Sequence, residues 1–326
     1  MPRPPVAILG AGAMGRVLGL RLAEAGYPIA AVLSRTPGPA NALARLLGAP
    51  VSGDDLGQIP DVPLVVLAVP DDQIADLAET LLDAPRPWTG AVVLHTSGAV
   101  PASALGPLRE AGARTLAFHP LQTVTRGSDA SALDGVTVGI EGEPAGVAAG
   151  VELAGPLGLR YLVIRPEAKA RVHLAAAMAS NLLVTLLGMV QEVLASVDID
   201  RAEAMQVLGP LIQGTLENVA ASSPEEALTG PVARGDLGTL RQHGLDLRKH
   251  LPAFVPAYAA LSVETVRLAV RSGVLDPDRA EAVLRLMEQM VTIPLPDASG
   301  GIPGSGGHAT PDHEPQRPRE PAGAAM

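Results

Sequence analysis

Residues 6–15 of the chain read VAILGAGAMG, and this stretch decides the fold. Its apolar start predicts a buried strand and the residues after it predict a helix, which is the context that the fingerprint G-x-G-x-x-G requires. Gly10 permits the tight turn, Gly12 lets the backbone approach a pyrophosphate, and Gly15 allows the helix to pack closely on the strand. Free N–H groups and the positive end of the helix dipole would face the phosphates. The stretch predicts a dinucleotide-binding fold whose loop contacts are Gly10, Ala11, Gly12, Ala13, Met14 and Gly15.

The end of the second predicted strand, Ile29–Leu33, indicates which dinucleotide is bound. An NAD-selective protein usually places an Asp or Glu here to accept from the ribose 2′-hydroxyl, whereas this chain continues Ser34-Arg35-Thr36. A guanidinium can bind a 2′-phosphate bidentately, and the hydroxyls can donate further hydrogen bonds. In the alternative interpretation Arg35 is only a solvent-exposed residue of a loop, and the cofactor is NAD or absent. We predict NADP(H), bound by Ser34, Arg35, Thr36 and, at the end of the third strand, Val69 and Pro70.

Composition narrows the class of protein without identifying a reaction. The 326 residues are enough for two domains, and their net charge of −10 argues against a nucleic-acid surface. The absence of cysteine excludes disulfides, thiolate chemistry and Cys-based metal sites, and we predict no metal site. The fingerprint begins too early for a signal peptide, so we expect a cytoplasmic location. The apolar run Leu174–Val190 is short for a membrane span and contains polar residues, so we interpret it as the core helix of a helical domain or of a dimer.

The chain changes character near residue 166. Before it, short apolar strands alternate with helical patterns, as in a mostly parallel sheet; after it, long helices follow one another. We predict an α/β fold, with an N-terminal Rossmann dinucleotide-binding domain over 1–165 and an all-α domain over 166–293 that serves for substrate binding and dimerisation. The Pro/Gly-rich residues 294–326 predict a disordered tail. The long helices are predicted over 167–196, 201–221, 224–228, 237–245, 252–272 and 277–291.

Polar residues at predicted strand ends are the first candidates for chemistry, because ligands of such sheets bind outside the carboxyl ends of the strands. Ser97 follows one strand and His119 another. Ser97 either orients the substrate or the nicotinamide, or it caps a turn or helix before Gly98. His119 either serves the site, since its loop emerges where a nicotinamide would lie, or caps a buried loop.

The first long helix carries the stronger candidates. Steps of four residues place Lys169, His173, Ala177 and Asn181 along one slowly turning ridge. In a helix that is otherwise apolar, a lysine and a histidine need water or a ligand. Either residue could give a proton to a carbonyl or imine that receives a hydride. Alternatively, Lys169 snorkels at the helix start and His173 makes a structural hydrogen bond.

A third polar group lies in the turn-rich segment 229–236, which reads TGPVARGD. Arg234 could hold a substrate carboxylate, whereas Asp236 could simply be the N-cap of the next helix. His243, seven residues further on, would lie on about the same helical face as Asp236. The sequence leaves the roles of these three residues open.

Taken together, these motifs resemble a bacterial family described as a Rossmann-like domain fused to DUF2520, within the 6-phosphogluconate dehydrogenase-like superfamily. The resemblance covers about residues 6–290 and rests on the fingerprint, the segments HTSGA and FHPLQT, the helix from Lys169 and TGPVARGD. It implies a catalytic Lys169, as in β-hydroxyacid dehydrogenases and ketopantoate reductase, although His173 stands where those families have an Asn. Ser97 and His119-Pro120 are similar in type to residues of prephenate dehydrogenases. The resemblance also implies a homodimer formed through the helical domain.

Our hypothesis from the sequence is an NADP(H)-dependent oxidoreductase acting on a small oxo, hydroxy or imino compound that carries a carboxylate. Lys169 or His119 would move the proton, and His173, Asn181 and Ser97 would position the substrate. The alternative is a non-catalytic NADP(H) sensor or scaffold dimer. Use of a deazaflavin beside NADP is a further possibility, because similar fingerprints occur in such reductases. We predict no nucleic-acid or membrane partner.

Overall fold

The computed structural model describes residues 2–292, so the tail predicted over 294–326 lies outside the described residues. The chain divides into two compact units, Met1–Leu186 and Leu187–Met326. The sequence placed this boundary at residue 165, some 20 residues earlier. The difference has a physical cause: Lys169, at the start of the long helix, is buried against residues of the first unit.

An eight-stranded sheet forms the centre of the first unit, in the order β3-β2-β1-β4-β5-β6-β7-β8. All neighbouring strands are parallel except β6 and β7, which are antiparallel. The short β3 has no apolar run and was missed by the sequence analysis. The strands are β1 (Val6–Leu9), β2 (Ile29–Leu33), β3 (Val51–Gly53), β4 (Leu64–Leu67), β5 (Val92–His95), β6 (Arg114–Pro120), β7 (Thr137–Gly142) and β8 (Arg160–Val163).

Helices cover both faces of this sheet, because successive strand residues point to opposite faces. In β1, Val6 and Ile8 belong to one apolar cluster, and Ala7 and Leu9 belong to another. The sheet is thus buried on both sides, as a mostly parallel sheet must be. The helices of this unit are α1 (Ala13–Glu24), α2 (Pro37–Leu47), α3 (Ile74–Thr80), α4 (Gly106–Glu110), α5 (Pro144–Ala154) and α6 (Lys169–Ala177).

A π-helical turn, Met178–Leu182, joins α6 to α7 (Leu183–Ala195), where the sequence predicted one uninterrupted helix. The second unit is helical as predicted and has its own apolar core, which includes Leu240, Val266 and Met287. The helix predicted over 237–245 continues to His250. The remaining helices are α8 (Arg201–Ala221), α9 (Pro224–Ala227), α10 (Leu237–His250), α11 (Val255–Arg271) and α12 (Pro277–Thr292).

Among residues 2–292, two helical segments are long and apolar enough to cross a membrane by length and composition. They are Pro166–Ala195, with a mean hydropathy of 1.7, and Pro252–Arg271, with 1.3. A core helix of a globular protein meets the same criterion. The first segment carries Lys169, which is buried at an ion pair within the first unit.

Candidate functional site

The glycines of the fingerprint differ in what a side chain would meet at each position. Gly10 has a φ of +111°, and a Cβ there would lie 2.2 Å from the carbonyl oxygen of Ala68. A Cβ on Gly15 would lie 2.0 Å from the carbonyl oxygen of Gly10. A Cβ on Gly12 would meet no protein atom within 4 Å. The fold therefore requires glycine at positions 10 and 15, whereas the space beside Gly12 is empty of protein atoms and open to a ligand.

That space opens into a cavity of about 460 Å³ at the carboxyl ends of β1, β2 and β4. Gly12 is the N-cap of α1 and provides no side chain to satisfy the free N–H groups of the first turn. Of the predicted cofactor residues, Ala13, Met14 and Gly15 form that turn. The others line the cavity: Gly10, Ala11, Gly12, Ser34, Arg35, Thr36, Val69 and Pro70. The structure thus brings together the residues predicted to bind a dinucleotide.

Gln73, which the sequence analysis missed, lies beside Arg35 in this cavity. With its amide oriented to face the guanidinium, its oxygen accepts from both terminal nitrogens of Arg35, at 3.0 and 3.2 Å. The contact would hold Arg35 at the mouth of the cavity. Asp54 and Asp76 also line the cavity. Besides the cationic Arg35, the cavity therefore contains carboxylates that can accept hydrogen bonds from ribose hydroxyls. Gln73 follows shortly after the end of β4, and this position at a strand end is the signal that could have drawn attention to it.

A second polar cluster forms where β5 and β6 end. The Ser97 hydroxyl accepts from the backbone N–H groups of Ala99 and Val100, at 3.1 and 2.9 Å. This is the turn-capping role that the sequence analysis left open for Ser97. Its hydroxyl proton is not used by these two bonds, so Ser97 can still donate to a ligand.

Two imidazoles converge on Gly98. A Cβ at this glycine would lie 2.4 Å from Nδ1 of His173 and 2.6 Å from Nε2 of His119. The two rings meet edge to face, with their centroids 5.8 Å apart. The absent side chain of Gly98 is therefore what lets both rings approach the strand end.

The protonation of His119 follows from its hydrogen bond. Its Nδ1 lies 3.1 Å from the carbonyl oxygen of Thr96 and must donate, since a carbonyl only accepts. Nε2 is then a free acceptor in the neutral ring. Burial lowers the pKa of His119, so the neutral form extends to more acid pH. Nδ1 of His173 is buried without a hydrogen-bond partner among residues 2–292.

Lys169 lies beneath the same strand end and is 4 % exposed. Its Nζ donates to the carbonyl oxygen of Ser97 at 3.2 Å and lies 3.9 Å from Oε2 of Glu141. Burial lowers the pKa of Lys169, while the charges of Glu141 and Asp71 act in the opposite direction. The sequence analysis missed Glu141, although a carboxylate in the apolar run of β7 was a visible signal.

His95, the last residue of β5, is fully buried beside this cluster. Its Nδ1 accepts from the backbone N–H of Ser97 at 3.2 Å. Burial, followed by the charge of Lys169, lowers the pKa of His95 to about 4. His95 is therefore neutral at physiological pH and supports the turn that carries Ser97 and Gly98.

Asn181 falls within the π-helical turn, and its side chain is exposed. The turn adds a residue to the helical repeat, so the ridge predicted from Lys169 and His173 does not continue regularly to Asn181. The neighbouring hydroxyls of Ser180 and Thr123 share a hydrogen bond of 2.6 Å, which ties this turn to the loop after β6. The role of Asn181 stays a prediction.

In the second unit, Asp236 caps α10. Its carboxylate accepts from the backbone N–H of Thr239 at 3.1 Å and from the Thr239 hydroxyl at 2.7 Å. His243 pairs through Nδ1 with the hydroxyl of Tyr258 at 2.9 Å. Asp236 thus has the structural role weighed for it, and Arg234 has an exposed side chain. No group of three or more potential metal ligands occurs within the part of the chain that the structure describes.

Family comparisons match both parts of the chain. Residues 1–120 match the model of a Rossmann-like domain, and residues 136–265 match that of a domain of unknown function, DUF2520. The chain thus combines a match to a Rossmann-like domain with a match to a DUF2520 domain. The DUF2520 match begins at β7, so it takes in Glu141 and Lys169 as well as much of the helical unit, while the fingerprint and the strand ends carrying Ser97 and His119 lie in the Rossmann-like match.

Solved structures share this fold. A Bacteroides fragilis protein provisionally assigned as an NADP oxidoreductase is 26% identical, with a TM-score of 0.69 over 81% of this chain and 98% of that one. A Thermotoga maritima protein is 22% identical, with a TM-score of 0.59 over 87% and 97%. A reductive aminase from Aspergillus terreus, in complex with NADPH and ethyl-5-oxohexanoate, is 16% identical, with a TM-score of 0.52 over 89% and 94%. Among proteins of curated function, none matches this sequence. The Rossmann-like and DUF2520 chain thus shares its fold with NADP-dependent oxidoreductases.

Proposed function

We propose that this protein is an NADP(H)-dependent oxidoreductase that transfers a hydride to or from a small oxo, hydroxy or imino compound. One observation carries the proposal. The cavity lies at the ends of β1, β2 and β4, and Lys169, His119 and His173, which we call the Lys–His cluster, lie at the ends of β5 and β6. Both are at the same carboxyl edge of one sheet. Ligands of doubly wound sheets bind at that edge, so a dinucleotide in the cavity could extend toward the cluster.

The residues of the cavity fit NADP(H). The open space beside Gly12 and the free N–H groups of α1 suit a pyrophosphate. Arg35, held by Gln73 and flanked by Ser34 and Thr36, suits a 2′-phosphate. When bound, the nicotinamide supplies or accepts the hydride.

Two side chains of the cluster can move the proton that accompanies a hydride. His119 presents Nε2 to the space over Gly98, and as a neutral ring it can accept a proton from a hydroxyl or amine substrate. Lys169, when charged, can donate in the reductive direction. His173, with an unpartnered Nδ1, is placed to orient the substrate, and Ser97 and Asn181 are proposed for the same task.

The proposal does not require a carboxylate on the substrate. Within the described part of the first unit, Lys169 has two carboxylates around it, those of Glu141 and Asp71. Its positive charge is therefore already partly balanced. The carboxylate remains a prediction from the sequence, and the proposed substrate class is the broader one.

We further propose a homodimer that covers the apolar face of the long helix. Leu174, Met178 and Leu182 are more than half exposed at four-residue spacing, and none of the most apolar 18-residue stretch of Pro166–Ala195 is buried in the single chain. On α8 of the second unit, Leu211 is likewise 66% exposed. An apolar helix face that is exposed in this way, such as that of the long helix, marks an interaction site. The expected cytoplasmic location stays a prediction.

The test is NADPH oxidation against a panel of oxo acids and of ketones with and without amines. Lys169→Met, His119→Asn and His173→Asn should each reduce turnover of an identified substrate, because each removes a polar group of the cluster. Lys249→Met is the matched control, since Lys249 is an exposed residue of the last turn of α10. Full turnover in all three variants would refute the site. NADPH binding without turnover across the panel would instead favour the cofactor-sensing alternative.

A further inference from the structure

Glu141 is a buried carboxylate on β7, the last strand but one of the sheet. It lies on β7 opposite Ala117 of β6, and Ala117 in turn lies opposite His95 of β5. Residues paired in this way point to the same face of the sheet. The antiparallel run of β7 thus brings Glu141 level with the strand end that carries the Lys–His cluster, although its side chain is only 3 % exposed.

The contacts of Glu141 compensate its burial. Oε2 accepts from the backbone N–H of Ala102 at 2.8 Å and lies 3.9 Å from Nζ of Lys169. A carboxylate or an ammonium buried alone is costly, and removal of one partner leaves the other uncompensated. The two residues are therefore coupled: each lowers the cost of burying the other.

Lysine is rare in this chain, which makes its use at position 169 informative. The chain contains 24 Lys and Arg residues, of which only Lys169 and Lys249 are lysines. Arginine makes better buried ion pairs, but it does not release a proton in proteins. A chain that otherwise uses arginine thus has an amine at this buried position, where a group able to give and take a proton would be needed.

We propose that Glu141 is a positioning residue that keeps Lys169 charged and directs its Nζ to the end of β5. The inference deepens the proposed function, because a charged Lys169 matters to turnover only if this cluster is the site of the reaction. Glu141 itself is not proposed to touch substrate or cofactor.

Other charged and titratable groups also face Lys169. Asp71, exposed after β4, favours its charged form, and burial disfavours it. His95 and His119 feel its charge, which contributes to lowering the pKa of each ring. Glu141 is the buried carboxylate of this set, so its removal should affect Lys169 more than removal of any exposed charge nearby.

The experiment is an NMR titration of the full-length protein carrying lysine labelled at Cε and Nζ, which gives two side-chain signals. Glu141→Gln retains the volume and an acceptor for the Ala102 N–H but removes the charge. The Lys169 titration should move to lower pH, so that its protonated fraction at a fixed alkaline pH falls. The Lys249 signal should not move. Glu143→Gln is the matched control, since Glu143 is exposed, follows β7 and contacts Arg109 at 3.1 Å.

An unchanged Lys169 titration in Glu141→Gln, or an equal change in Glu143→Gln, would overturn the proposal. A double-mutant cycle in urea covers the case in which Glu141→Gln is poorly folded. Lys169→Met leaves a buried carboxylate without its cation, so the double variant with Glu141→Gln should be more stable than Lys169→Met alone. Additive effects of the two substitutions would also overturn it. NADPH affinity, measured on the same wild-type sample, tests the proposed function separately.

Discussion

Replacement of Gly12 by alanine separates the needs of the fold from those of the cofactor. The residue has φ −75° and ψ −172°, which alanine adopts without strain, and the added methyl group would meet no protein atom within 4 Å. Because fewer conformations are then open to the unfolded chain, Gly12→Ala should leave stability unchanged or raise it by about 0.4–1 kcal/mol. The variant should fold as the wild type does.

The cost should appear in cofactor affinity instead. The methyl group points into the cavity where a pyrophosphate would contact the start of α1. Loss of one or two hydrogen bonds to a charged phosphate costs about 1.5–3 kcal/mol each. Since 1.4 kcal/mol corresponds to a tenfold change, the Kd for NADPH should rise by roughly 10-fold if one weaker bond is lost and by up to about 20,000-fold if two strong bonds are lost.

Calorimetric titration with NADPH and urea unfolding measure the two effects on one sample. Gly15→Ala is the contrasting variant, because its methyl group would lie 2.0 Å from the carbonyl oxygen of Gly10. That variant should lose stability. Wild-type NADPH affinity in Gly12→Ala would refute the reasoning that this loop binds the pyrophosphate, and a large loss of stability would refute the claim that the space is free.

Three further predictions follow from the same geometry. Gly98→Ala should reduce turnover by roughly 100-fold while NADPH affinity is retained, because both imidazoles must move; steady-state kinetics and calorimetry check this, and full activity would contradict it. The pKa of His95 falls from 6.5 to about 4 in the folded protein, so the unfolded chain takes up the proton first and stability should decrease by about 3 kcal/mol as the pH falls through this window. Urea unfolding across that range should show a smaller decrease in His95→Asn, and an equal decrease would remove His95 as the cause. Asp236→Ala should lower the Tm without changing NADPH affinity, since its carboxylate caps α10; an unchanged Tm would argue against the cap.

The fold could be predicted from local patterns, since each element carries its own signal. The fingerprint stands between β1 and α1 as expected, and α8 has the predicted bounds, Arg201–Ala221. The short β3 and the π-helical turn Met178–Leu182 could not be predicted in this way. A three-residue strand shows no period, and a π-turn reflects a local change in backbone pairing that periodicity does not register.

The candidate site could be predicted only in part, because its contacts join residues far apart in the chain. Lys169 was chosen as a polar residue on an apolar helix, but its bond to Ser97 spans 72 positions. Glu141 lies in an apolar strand pattern and acquires its partner only through the antiparallel pairing of β6 and β7. Gln73 likewise meets Arg35 across the cavity. Residue types suggest candidates, whereas tertiary packing decides which of them meet.

The central claim is that the cavity binds NADP(H) and that Arg35 contacts the 2′-phosphate. Calorimetric measurement of NADPH and NADH affinities, in the wild type and in Arg35→Ala, tests it most directly. Contacts of Arg35 to the 2′-phosphate are charge-assisted and worth about 1.5–3 kcal/mol. The wild type should therefore bind NADPH at least about tenfold more tightly than NADH, and Arg35→Ala should lose most of this preference. Equal affinities in the wild type, or no binding of either dinucleotide, would contradict the account.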